Sequence, residues 1–197
     1  EYVCVLPDRA VTLKPANMTF AQAAAVPVAA ITALQGLRDK GKIKRGQKVL
    51  VNGASGGVGT FAVQIAKSLG ADVTAVCSTR NVDMVRSIGA DHVIDYSKED
   101  FTLGAQRYDL ILDNVGNHSL SALRRVMNPR GTYIGVGGGG PDDGRWIGPL
   151  AGPIKALLVS PFVSQKLLMI LAEINQADLL VLKELMETKK VTPVIDR

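Results

Sequence analysis

VNGASGGVGTFAVQIAKSLGADVTAVCSTR, from Val51 to Arg80, sets Gly53, Gly56, Gly57 and Gly59, with the small Ala54 and Ser55, between an apolar run and a helix-period stretch. Val58, Phe61, Ala62, Ile65, Ala66 and Leu69 form one apolar stripe on a 3.6-residue period, and Gly70 stands where a helix C-cap belongs. Val49 to Val51 before the glycines and Val73 to Cys77 after the helix are β-branched, apolar and short, as strands are. The stretch therefore reads strand, glycine turn, helix, strand: one βαβ unit, whose two strands must run parallel.

The same rhythm continues on the C-terminal side. Short apolar runs begin near residues 49, 73, 92, 109 and 132, and helical patterns fill gaps between them. One such pattern, Val82, Val85 and Ile88, is stopped by Gly89; another spans about Ser119 to Met127 and meets a Pro129 to Gly131 turn. Repeated βαβ units with right-handed crossovers predict the α/β class, a doubly wound parallel sheet of Rossmann type covered on both faces. The ends fit this rhythm less well. Glu1 to Thr12 reads as short extended segments, and Phe20 to Leu37 as an alanine-rich helical stretch carrying Pro27. Beyond Val136, Gly137 to Pro141 reads as a loop. Ile154 to Leu158, Phe162 to Ile174 and Leu179 to Met186 read as helical, and the closing VTPVIDR as strand-like.

A chain of 197 residues, 47% hydrophobic and 21% charged, has room for one α/β domain and a small appendage. Its longest near-apolar stretch, Phe162 to Ile174, is broken by Ser164, Gln165, Lys166 and Glu173, so no membrane span is expected. Cys4 and Cys77 have no metal-type spacing, and reduced thiols suit the cytoplasm or an organelle matrix. The net charge of +5 includes a basic run, Arg38, Lys40, Lys42, Lys44, Arg45 and Lys48. No aromatics interleave with it as a single-strand platform requires, so it reads as a solvated surface loop and not as a nucleic-acid groove.

Ala54, Gly56 and Gly59 give A-x-G-x-x-G on the first βα turn, where backbone approaches a pyrophosphate and the helix N-terminus meets the anion. No G-K-[ST] follows, which excludes a P-loop. An NAD-type site wants a carboxylate at the end of the second strand, but that strand ends Val76, Cys77, Ser78, Thr79, Arg80. Two hydroxyls and a guanidinium suit a 2′-phosphate, so NADP(H) is expected over NAD(H); the alternative is a Ser78 helix cap beside an exposed Arg80. Tyr96 ends the third strand on the same sheet edge, either reaching that phosphate or standing as a strand-end tyrosine. Asn114, Val115 and Gly116 close the fourth strand and Val136 and Gly137 the fifth, which places them on the nicotinamide side or in a turn without a ligand.

NGASGGVGTFAVQIAK, the paired LGADV and IGADHVIDY, and YDLILDNVG together resemble the cofactor domain of the medium-chain dehydrogenase/reductase superfamily, and more narrowly its zinc-free quinone oxidoreductase-like branch. AAAVPVAAITALQGL resembles the helix preceding that domain. The resemblance implies residues 1–19 as the tail of a GroES-like catalytic domain, 20–145 as the dinucleotide domain, and 146–197 as a helical extension beginning the return. It further implies Ser55, Gly57 and Val58 on the pyrophosphate, Ser78 and Tyr96 near the adenosine phosphate, and Thr32 beside the cofactor. Zinc-dependent relatives carry a metal ligand four residues before the threonine matching Thr32; Val28 stands there, and no metal is expected. The implied chemistry is hydride delivery from NADPH to a small quinone or enone, with no visible residue identified as the catalytic donor. None of Tyr2, Tyr96, Tyr108 and Tyr133 has lysine four residues on, as a short-chain dehydrogenase requires. A homodimer is compatible with this reading. The competing function is a nucleotide-sensing interaction protein that keeps the cradle without turnover.

Overall fold

The computed structural model describes Cys4, residues 10–136 and residues 164–196. Its strands are β1 (Lys48–Asn52), β2 (Asp72–Cys77), β3 (His92–Asp95), β4 (Tyr108–Asp113), β5 (Met127–Val136) and β6 (Lys166–Ile170). They form one parallel sheet in the order β3-β2-β1-β4-β5-β6. The chain winds outward from β1 through β2 and β3, then crosses to β4 and winds outward the other way. This is the doubly wound order, and its switch point lies between β1 and β4.

The helices are α1 (Phe20–Ala24), α2 (Pro27–Leu34), α3 (Gly57–Ser68), α4 (Val82–Ser87), α5 (Leu120–Arg125) and α6 (Gln176–Glu187). Val49, Val51, Val73, Leu110 and Leu112 face a core shared with α2, α3, α4 and α6. Leu50, Val76 and Ile111 face the opposite side, against Leu123 of α5 and Phe101 of a 3₁₀ turn at Phe101–Leu103. Burial on both faces explains why the central strands read as continuous apolar runs instead of alternating ones.

The α3 helix departs from a one-sided amphipathic pattern. Gly59 to Ala66 are all buried, while Leu69, at the end of the stripe, is exposed. The reason is a second cover: α2 packs on α3, and Gln64 on its far side exchanges two hydrogen bonds with the Thr192 backbone, at 2.9 and 2.8 Å.

Four segments differ from the sequence expectations. Phe20 to Leu37 forms two helices because Pro27 lacks the N–H that a continuous helix needs, and it serves instead at the start of α2. The run then continues as a π-helical turn, Gln35–Lys40, whose Gly36 lies so close to β4 that a Cβ there would stand 3.1 Å from Leu112 Cδ1. Phe162 to Ile174, expected as helix, supplies β6 at Lys166–Ile170, paired to β5 from Thr132↔Lys166 to Val136↔Ile170. A short apolar run carries no period that separates the two states, and the open side of β5 decided it. Finally, β5 begins at Met127, and the expected Pro129 to Gly131 turn is a bulge within it, where the register with β4 jumps between Tyr108 and Leu110. Ile154 to Leu158 lies outside the described residues, and Val191 to Asp196 forms no strand.

Asp178 locks α6 onto the π-helical turn. Its carboxylate accepts from Gln35 Nε2 at 2.7 Å, Arg38 Nη2 at 2.6 Å and Asn175 Nδ2 at 2.8 Å. Burial pushes its pKa up, but these three donors outweigh it, and the net shift is downward. A depressed folded-state pKa stabilises above the unfolded value, about 3.9, and the contribution is lost as pH falls through the folded value. Asp178→Ala is expected to cost about 1–3 kcal/mol at pH 7, discounted for the half-exposed Arg38, and to narrow the difference in urea midpoint between pH 7 and pH 3. An unchanged pH dependence of that midpoint would show that Asp178 carries no such linkage.

Candidate functional site

Because all strands run the same way, the residues after β1 to β5 share one sheet edge, in the spatial order of the strands. Tyr96 comes first, then Cys77 to Arg80, then Gly53 to Gly59, then Asn114 and Val115, then Val136; Gly137 lies outside the described residues. The topology thus gathers residues far apart in the chain along one rim, outside the carboxyl ends of the strands.

The centre of the rim is the turn between β1 and α3. Gly53 has φ +74°, a conformation that favours glycine, and a Cβ there would press on Val115 Cγ2 at 2.8 Å. Ala54 N–H donates to Val76 O at 3.0 Å and Gly56 N–H to Gly53 O at 3.1 Å, which fixes the turn. Gly59 is packed onto it: a Cβ would lie 2.7 Å from Ala54 Cα and 2.8 Å from Ala54 C. The glycine lets the helix approach the turn itself.

Gly56 and Gly57 are different. Both are exposed, and a Cβ would meet nothing nearer than Gly53 O at 3.5 Å and Ala29 Cβ at 3.9 Å respectively. The protein itself leaves room for side chains at both positions. Gly56 is the N-cap of α3 and supplies no side-chain bond, so the first-turn N–H groups have no capping side chain. An open, uncapped start of a twelve-residue helix fits an anion such as a pyrophosphate. Ser55 and Val58 flank it, both partly exposed. The start of α2 lies over Gly57 through Ala29, with Val28 exposed and Thr32 buried; the Thr32 hydroxyl donates to Val28 O at 2.8 Å.

At the tips of β2 and β3, Cys77 is fully buried, and burial followed by the charge of Asp95 pushes its thiol up. Only its backbone serves the rim, the carbonyl accepting from Tyr96 N at 3.1 Å. Ser78 precedes the 3₁₀ turn Thr79–Asn81, and its Oγ accepts from Asn81 Nδ2 at 3.2 Å rather than capping a helix N–H. Arg80 is exposed and has no carboxylate partner among the described residues. Tyr96 is 61% exposed.

At the tips of β4 and β5 the structure adds residues that sequence reasoning missed. Asp113, 1% exposed, accepts from Asn52 Nδ2 at 2.9 Å, Val115 N at 3.1 Å, Gly116 N at 2.9 Å and Tyr133 Oη at 3.2 Å. Burial, then the neighbouring Asp113, holds the Tyr133 phenol well above its ordinary range, so it remains a donor. Asn52 also donates to Asn117 Oδ1 at 3.1 Å, and Asn114 Nδ2 donates to Asn52 O at 2.8 Å. The network fixes the Asn114 to Asn117 turn against the glycine turn. Its signal in the sequence was a polar residue closing two apolar runs, Asn52 and Asp113, which become register partners.

Among the described residues no three His, Cys, Asp or Glu side chains gather as a metal-ligand set. His92 and His118 pair with Asp72 and Asp100, and Cys77 is sealed in the core. None of the described helices is long and apolar enough to cross a membrane.

Sheet order, switch point and first βα turn define an α/β domain of the Rossmann class. Within that class, the sequence model of a family described as zinc-binding dehydrogenase matches residues 88–197, and the chain belongs to this family, in the medium-chain dehydrogenase/reductase superfamily. The mitochondrial NAD(P)H oxidoreductase RTN4IP1 of Mus musculus is 45% identical over 123 residues, covering 59% of this chain and 31% of the relative. The trans-enoyl reductase pgmF of Aspergillus terreus is 39% identical over 142 residues, covering 70% of this chain and 40% of the relative. The structure of the quinone oxidoreductase from Coxiella burnetii superposes with a TM-score of 0.75 at 25% identity, covering 93% of this chain and 54% of that one. The chain thus spans well under half the length of these two sequence relatives.

Proposed function

We propose that this chain is the NADP(H)-binding domain of an oxidoreductase that delivers hydride to a quinone or an enone. The observation that carries the proposal is the open, uncapped start of α3 at Gly56 and Gly57, on one sheet edge with Ser78 and Arg80 and with no carboxylate closing β2. The relatives described as NAD(P)H oxidoreductase, trans-enoyl reductase and quinone oxidoreductase support the reaction class.

The nicotinamide cofactor, when bound, supplies the hydride. The chain's own part is to hold and orient it. Ser55, Gly57 and Val58 present backbone N–H groups to the pyrophosphate, and Gly59 keeps α3 seated on the turn that aims them. Ser78, Arg80 and Tyr96 would receive the adenosine phosphate, while Asn114, Val115 and Val136 would border the nicotinamide half. Val28 and Thr32 stand on α2, whose Ala29 lies against Gly57, and exposed Val28 offers an apolar surface to an uncharged acceptor. A reducing compartment, cytoplasm or organelle matrix, suits Cys77 as a buried thiol.

NADPH is expected to bind more tightly than NADH in a fluorescence titration. Arg80→Ala is expected to erode that preference by about ten- to a hundred-fold, the equivalent of roughly 1.5–3 kcal/mol for a charge-assisted hydrogen bond. Equal affinities in the parent protein would refute the choice of cofactor. Tight binding without turnover by the longest native form, assayed against quinones and enones, would favour the nucleotide-sensing function instead.

A further inference from the structure

We propose that Lys98 is a second cation of the site that receives the 2′-phosphate, placed there by Asp95 and required because Asp95 is there. The inference rests on the NADP(H) proposal above. Asp95 closes β3, is 8% exposed, and collects groups from both strand tips. Its Oδ1 accepts from Ser97 N at 3.1 Å and Ser97 Oγ at 2.6 Å. Its Oδ2 accepts from Thr79 Oγ1 at 2.6 Å and pairs with Lys98 Nζ at 3.2 Å. Thr79 lies between Ser78 and Arg80, so one carboxylate oxygen brings the Lys98 ammonium beside the turn that carries both. Lys98 remains 70% exposed, which leaves its other N–H donors available to a ligand.

Charge makes Lys98 necessary. The hydroxyls of Ser97 and Thr79 hold Asp95 well below the usual carboxylate range, so it is ionised at neutral pH. A phosphate carrying about −1.5 to −2 charges at the Ser78–Arg80 turn would meet a turn whose Thr79 hydroxyl stands 2.6 Å from that carboxylate, and physiological salt screens charges only beyond roughly 8 Å. Of Asp95, Arg80 and Lys98, Arg80 alone only cancels Asp95. Arg80 with Lys98 leaves one net positive charge, and the ammonium stands directly on the carboxylate it masks. An NADH ribose, which brings only hydroxyls to this place, has no use for that charge.

The test is titration of the protein with NADPH, NADH and 2′,5′-ADP, comparing the parent with Lys98→Met, Asp95→Asn and the double variant. Lys98→Met is expected to weaken NADPH and 2′,5′-ADP by about ten-fold, and NADH by less than about two-fold. Adding Asp95→Asn to Lys98→Met is expected to restore most of the lost NADPH affinity, because the unmasked charge is then gone. Should Asp95→Asn unfold the strand tips, Lys98→Glu, at an exposed position, is expected to widen the loss beyond that of Lys98→Met. A parent that prefers NADPH, with Lys98→Met unchanged or with NADH weakened in parallel, would overturn the role of Lys98 while leaving the cofactor assignment standing. A parent without preference for NADPH would overturn both, and Arg80→Ala would then also be without effect.

Discussion

Gly59→Val is expected to lower the melting temperature and to weaken cofactor binding together. A Cβ at this position meets Ala54 Cα at 2.7 Å and Ala54 C at 2.8 Å, and these are backbone atoms that no rotamer change can move aside. The helix must lift from the turn, and overpacking of this kind costs about 1–3 kcal/mol or more. For a chain of this size that is roughly 2–12 °C in melting temperature. Lifting α3 also moves its first-turn N–H groups away from the Gly53 to Gly56 turn, so NADPH affinity is expected to fall with stability. Gly57→Ala is the contrasting variant. Its Cβ meets only Ala29 Cβ at 3.9 Å, so the melting temperature is expected to hold while NADPH affinity falls. Calorimetry and titration on the two variants separate packing from ligand contact. A Gly59→Val protein with the parent's melting temperature would show that the turn is not where α3 is seated.

The sequence assigns the two glycines different parts, Gly59 to helix packing and Gly57 to the pyrophosphate; that Gly59 packs on Ala54 of the turn was not visible in it. What was legible was whatever depends on local pattern. The stripe from Val58 to Ala66 and the apolar runs at 49, 73, 92, 109 and 132 gave five strands and the central helix. Parallel pairing then followed from the helices between them. What was not legible depends on neighbours distant in sequence. Lys166–Ile170 became a strand because β5 offered an unpaired side, and no residue within the segment encodes that. Gln64 is buried because Thr192, distant along the chain, pairs with it. The site divides in the same way. Ala54 to Gly59, Ser78, Arg80 and Tyr96 announce themselves as exceptions at strand ends. Asp113 and Asp95 read as ordinary strand-end acids until register set Asp113 beside Asn52 and the strand tips set Asp95 beside Thr79.

The chain of 197 residues, assayed alone, is expected to bind NADPH and to show no turnover. The proposed pyrophosphate cradle would use backbone donors of the β1 turn and α3, and the proposed adenosine end the tips of β2 and β3. Each of these elements is held by the sheet described above, so the proposed binding is expected to survive in the chain by itself. Turnover needs more. Hydride transfer requires the acceptor to be held against the nicotinamide face with water excluded, and such positioning supplies about 7–11 kcal/mol of the barrier. Val28, at the start of α2, is 64% exposed. The chain matches only 31% and 40% of the length of its two relatives, so the wall proposed to enclose the acceptor belongs to the remainder of such a protein. The expected result is a rate near the uncatalysed background with saturating NADPH and a small quinone, alongside a full-length relative that turns over under the same conditions. Comparable rates from the two would place the chemistry within this chain, and would direct attention to Asn114 at the tip of β4 and to Tyr133, whose hydroxyl donates to Asp113 there.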